Sequence, residues 1–187
     1  MQQRLFRDDI GKRRKPALER SLHRYDEQEF EGRLERLNYL KKVFPSGIAF
    51  GADFETIIVF EEVRSAFVNG EFVATILLAN AFIERWLEQT IAIPNSLSKN
   101  KRTLNDTLEF AENGGLLPDY LIKQIHTVRT RRNPLMHLKS GHPNTIMERL
   151  KDSLRNGENP SAYDILLSDA KHALSTMYAV LDTQVGT

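Results

Sequence analysis

The chain contains no cysteine. Disulfide frameworks and thiolate-held zinc or iron–sulfur centres are therefore excluded. The absence also suits a reducing compartment. No long hydrophobic run is present either. The longest apolar stretch, Phe72 to Ile83, is interrupted by Thr75 and Asn80 and followed by charge, so it reads as a buried helix and not a membrane span. The first residues lack the apolar centre of a signal peptide, which makes a cytoplasmic protein with no membrane partner the expectation. Glycine-rich phosphate loops are missing, both the Walker pattern and Gly-x-Gly-x-x-Gly. No His-Glu-x-x-His or similar ligand spacing points to a metal, and no cofactor is expected. There is no Gly-x-Ser-x-Gly elbow. Strand-like alternation is absent, which leaves an all-α fold. Finally, neither sign of charge dominates: 26 Lys and Arg face 25 Asp and Glu, a formal net charge of +1. Global charge thus names no partner.

What is present is helical periodicity. At 187 residues the chain suits one domain with an appendage. Residues 1–15 are polar, basic and aperiodic, as a flexible arm would be. Residues 16–47 form an N-terminal helical extension: Leu18, Leu22, Tyr25, Phe30, Leu34, Leu37 and Leu40 recur at roughly helical spacing opposite a charged face. Gly32 weakens it by about 1 kcal/mol relative to Ala. Such a helix must dock on its own core or on a second subunit. Pro45-Ser46-Gly47 ends it, and residues 48–187 make the main helical domain.

Within that domain Asp53 is an N-cap candidate for a helix ending at Gly70, with Ile57, Ile58, Phe60, Val63, Ala66 and Phe67 inward. The helix from Glu71 to Ile93 is apolar on most faces, so it belongs at the centre. A short helix follows from Thr103 to Asn113. The next begins at Pro118 with an inner stripe of Leu121, Ile122, Ile125 and Val128. Thr145 to Arg155 is amphipathic. The last helix opens with a capping box, Ser161 with Asp164, and buries Ile165, Leu166, Ala170, Ala173, Leu174, Met177, Tyr178 and Leu181.

Charge is unevenly spread. Residues 121–155 carry Lys123, Arg129, Arg131, Arg132, Lys139, Arg149, Lys151 and Arg155 against only Glu148 and Asp152. A basic zone of this kind suits a polyanion. The block Lys12 to Lys15 reads more simply as a solvated surface. The stretch Arg129 to Lys139 stands out because it sets His137, a side chain able to give or take a proton, among permanent cations. On a straight helix residues five apart lie about 140° apart, so Arg132 and His137 would not share a face. Pro134 should break the helix near Arg131 and restart it with Asn133 as N-cap. Arg132 would then sit at the junction, and free N–H groups at Asn133 to Leu135 would favour a phosphate. A guanidinium for charge and an imidazole for proton transfer are a minimal kit for cleaving RNA through its own 2′-OH.

The segment Arg132-Asn133-Pro134-Leu135-Met136-His137 resembles the Arg-x4–6-His signature of the HEPN superfamily, in the variant with Asn after the Arg. The helical run Val63 to Ile91 is similar to the first core helices of such domains, and the likeness covers roughly residues 53–187. It implies a HEPN-like helical bundle carrying an additional N-terminal amphipathic helix. It also implies a homodimeric, metal-independent endoribonuclease acting in defence, stress response or a toxin system, with the signature segments facing each other across the dimer. In that role Arg132 would stabilise the scissile phosphate, Asn133 would orient it or hold the imidazole, and His137 would be the acid or base. Arg129, Arg131 and Lys139 would be further RNA contacts. A partner antitoxin or regulatory protein is compatible. However, the toxin branch paired with minimal nucleotidyltransferases typically has Tyr where Lys139 stands, and the first fifty or so residues exceed the minimal domain.

Two alternatives stay open at this level. The domain could be a non-catalytic module binding nucleic acid, a nucleotide or a protein. His137 between Met136 and Leu138 could also be a core histidine. Glu84 on the central helix is a possible partner for an arginine of the signature, because a buried charge needs pairing.

Overall fold

A computed structural model describes residues 17–44, 51–91, 103–137 and 144–183. The expectations for the arm 1–15, the turn after Phe44, Pro94, the loop 95–102, Lys139 and His142 fall outside these residues. Seven helices are described: α1 (Ala17–Val43), α2 (Phe54–Asn69), α3 (Phe72–Thr90), α4 (Leu104–Asn113), α5 (Asp119–Met136), α6 (Ile146–Arg155) and α7 (Ala162–Asp182). No strand occurs among the described residues, so the fold there is all-α. None of these helices is long and apolar enough to cross a membrane.

The helix starts follow local chemistry. Asp53 accepts from the Thr56 N–H and opens α2. Thr103 with Asp106 and Ser161 with Asp164 form complete capping boxes at α4 and α7. Gly70 closes α2 at φ 81°, a left-handed conformation that suits glycine. The N–H of Glu71 then reaches the Ala66 carbonyl at 2.9 Å, which satisfies the helix end and reverses the chain into α3.

Helix α3 is central, packed on α2, α5 and α7. Ile76, Ala79, Phe82, Ile83 and Leu87 are essentially inaccessible. They meet Val63 and Phe67 of α2, Leu121, Ile125 and Val128 of α5, and Ala173, Leu174 and Met177 of α7 in one core. The inner stripes of α5 and α7 fall where the periodicity places them, except that Leu166 is only half-buried. On α2 the expectation fails at Ile57 and Ile58, which are exposed. Both lie in the first turn and a half, on the side away from α3, where no described element covers them.

Helix α1 shows the larger departure. Its C-terminal half lies across α2 and α7. Tyr39 packs on Phe67 at 5.5 Å between ring centroids, and Phe44 stacks on Tyr178 at 3.9 Å. Arg36 is buried at the crossing. Its Nε donates to the Val68 carbonyl at 2.8 Å, capping the end of α2, and its Nη1 donates to the Tyr163 hydroxyl at 3.3 Å. Gly32 and Gly70 make the room. A Cβ on Gly32 would stand 3.0 Å from Nη1, and one on Gly70 3.3 Å from Cζ. Beyond Arg36 the helix leaves the bundle: residues 17–28 are all exposed. Of the seven apolar positions in the repeat, only Leu40 is buried.

Candidate functional site

The Arg-rich segment is the last two turns of α5. The expected break does not occur: α5 continues through Pro134 to Met136, and His137 is its C-cap residue. Proline in the final turn forfeits one hydrogen bond, to the Thr130 carbonyl, and little helix remains beyond it to be disrupted. Leu135 packs against the core, and the His137 N–H still reaches the Asn133 carbonyl at 3.0 Å. Packing and the surviving hydrogen bond outweigh the proline. The consequence is electrostatic. Asn133 to Leu135 offer no free amide donors, and this end of the helix presents carbonyls, which attract cations and not phosphate.

The predicted side chains are only partly gathered. Arg129, Asn133 and His137 follow one another at steps of four. Arg129 Nη1 donates to the Asn105 side chain on α4 at 2.7 Å. Arg132 is half-buried, and its Nη1 lies 3.4 Å from Asn133 Oδ1. His137 is exposed, which disfavours the core-histidine alternative. Because the helix is continuous, Arg132 and His137 leave it on different sides. Arg131 is engaged elsewhere. Glu84 forms no ion pair among the described residues.

The acid that meets the segment is Asp169 of α7, 3% exposed. Arg131 Nη1 lies 2.9 Å from its Oδ1. Arg149 of α6 binds it in fork geometry, Nη2 to Oδ1 at 2.9 Å and Nη1 to Oδ2. One buried carboxylate thus holds two guanidiniums, and through them the ends of α5 and α6. Burial lowers the pKa of Arg131, Asp169 works against this, and Arg149 adds to it. A cavity of about 100 Å³ opens beside this cluster, between Pro134 and Leu135 of α5, Thr145 and Ile146 of α6, and Leu166 of α7.

Periodicity could have found Asp169. It lies four residues from both Ile165 and Ala173 on the buried face of α7, and a carboxylate there requires cationic partners.

His172, one turn on, carried no sequence signal. It is half-buried with Nε2 3.4 Å from the Gln124 carbonyl, and burial, reinforced by Arg131, lowers its pKa. The fold therefore holds the neutral ring. That stability is complete above the unfolded pKa of 6.5 and is lost as pH falls through the lower folded value. Urea midpoints should rise between about pH 5 and pH 7.5. His172→Gln should flatten that rise.

Compared with known proteins, the chain matches no family model, no curated protein and no solved structure.

Proposed function

We propose that the chain is a metal-independent endoribonuclease of HEPN type, with Arg132, Asn133 and His137 as its reacting residues and RNA as its substrate. The observation that carries this is the exposed imidazole of His137 at the end of α5, directly after a turn that holds Arg132 and Asn133. In the reaction the 2′-oxygen attacks the adjacent phosphorus and the bond to the 5′-oxygen breaks. The products are a 2′,3′-cyclic phosphate and a 5′-hydroxyl. One imidazole takes the 2′-proton and a second, protonated, gives a proton to the leaving oxygen. Each chain supplies one His137, so a second copy completes the pair. Arg132 of either copy offsets the charge that builds on the phosphate.

The test is cleavage of a mixed RNA with EDTA present. Wild type should yield cyclic phosphate ends, and His137→Ala and Arg132→Ala should lose them while keeping wild-type circular dichroism. Full cleavage by a folded His137→Ala protein would overturn the assignment.

The engagement of Arg131 by Asp169 favours a second reading, a helical module that binds nucleic acid without cutting it. That reading predicts salt-sensitive RNA binding that survives His137→Ala, with no product ends from any variant.

A further inference from the structure

Six large apolar side chains of α1 face outward: Leu18 (82% exposed), Leu22 (59%), Tyr25 (59%), Phe30 (58%), Leu34 (40%) and Leu37 (38%). Single exposed leucines are ordinary, but six on one projecting helix are not. We propose that the exposed side of α1 is a clasp for a second copy of the same chain, the two helices packing antiparallel about a two-fold axis near Phe30.

Two features select a second copy as the occupant. The first is area. The exposed surface of the six side chains amounts to roughly 700 Å² per copy, close to the ~800 Å² that each partner buries in a specific complex.

The second is charge. Asp26, exposed, and Arg33, half-buried, lie near Phe30 on either side, paired within their own helix at 3.2 Å. A parallel pair would set Asp26 against Asp26 and Arg33 against Arg33. An antiparallel pair centred near Phe30 sets Asp26 of each copy level with Arg33 of the other, Leu22 with Leu37, and Glu19 with Lys41. Polar residues at a helix seam fix orientation and register in this way.

The clasp also has a position. Arg36 and Tyr163 meet where α1 leaves the bundle. Helix α5 runs antiparallel to α7, with Gln124 at His172 and Arg131 at Asp169. Continuing that pairing sets His137 level with the first turn of α7. The projecting helix and the end bearing His137 are therefore at one end of the bundle. Pairing two clasps turns those ends toward each other. The partner copy's contribution to the cleavage site rests on the nuclease proposal; the association itself does not.

The experiment is sedimentation equilibrium of the full chain. Wild type should be a dimer. The double variant Leu18→Glu with Leu22→Glu, at positions that do not touch the bundle, should raise the dissociation constant by about 100-fold or more while preserving helix content. Asp26→Arg and Arg33→Asp should each weaken self-association, and mixing the two variants should restore a heterodimer, even though each chain then lacks its internal pair. A monomeric wild type at the highest soluble concentration would overturn the proposal. So would a dimer indifferent to the Leu18 and Leu22 changes, or an α1 protected from proteolysis only once RNA or another protein is added. His137→Ala separates the two proposals. A dimer that never cleaves RNA sinks only the nuclease, and a cleaving dimer indifferent to the Leu18 and Leu22 changes sinks only the clasp.

Discussion

Asp169→Ala should destabilise the protein by about 3–5 kcal/mol, the range found when one partner of a buried ion pair is removed. The carboxylate is 3% exposed and sits between Arg131 and Arg149, whose side chains are 28% and 24% exposed. Without it two guanidiniums remain close together with no counter-charge. Helix α6 should suffer first. It has no buried residue and packs chiefly on α7, so Arg149 is its main polar anchor. Urea unfolding followed by circular dichroism measures the loss. Hydrogen exchange should show α6 losing protection before the core of α3. The control is a triple replacement, Asp169→Leu with Arg131→Met and Arg149→Met. Apolar groups of similar volume remove both the charges and their desolvation cost, so stability should return close to wild type. If Asp169→Ala instead unfolds at the wild-type midpoint, the cluster is a solvated surface network and not an anchor.

Arg36→Ala should cost about 2–3 kcal/mol, as expected for the loss of hydrogen bonds from a charged donor that leaves a buried acceptor unpaired. The Val68 carbonyl at the end of α2 would lose its donor, and the Tyr163 hydroxyl would lose a second contact. The guanidinium also lies 5.9 Å from the Phe72 ring centroid, a contact that would vanish as well. Arg36→Lys should recover little, because a single ammonium does not reach both acceptors in a planar fork. The effect should be local. Limited proteolysis ought to cut within α1 far faster than in wild type, while α3 keeps its protection. Equal cleavage in both proteins would show that Tyr39, Leu40 and Phe44 alone hold α1 in place.

The all-α class, the central place of α3 and the inner stripes of α5 and α7 were legible because apolar residues at helical spacing report burial directly. Caps were legible too, since Asp53, Ser161 and Asp164 act within three or four residues of themselves. Pro134 misled because its local penalty was weighed without the packing of Leu135, which lies outside any local window. The candidate site was legible only as composition. That Arg131 belongs to Asp169, 38 positions away, and Arg129 to Asn105 follows from how the helices are laid side by side.

By itself, then, the sequence determined which segments are helices, where most of them begin and which stripes of α5 and α7 turn inward. These depend on hydrogen bonds and periodicities that span a few residues. Only the tertiary structure decided which cations of the basic stretch are free, that α5 runs on to His137, and that half of α1 leaves the bundle. Each of those outcomes is set by contacts between residues far apart in the chain, and such contacts outweigh local preferences of about 1 kcal/mol.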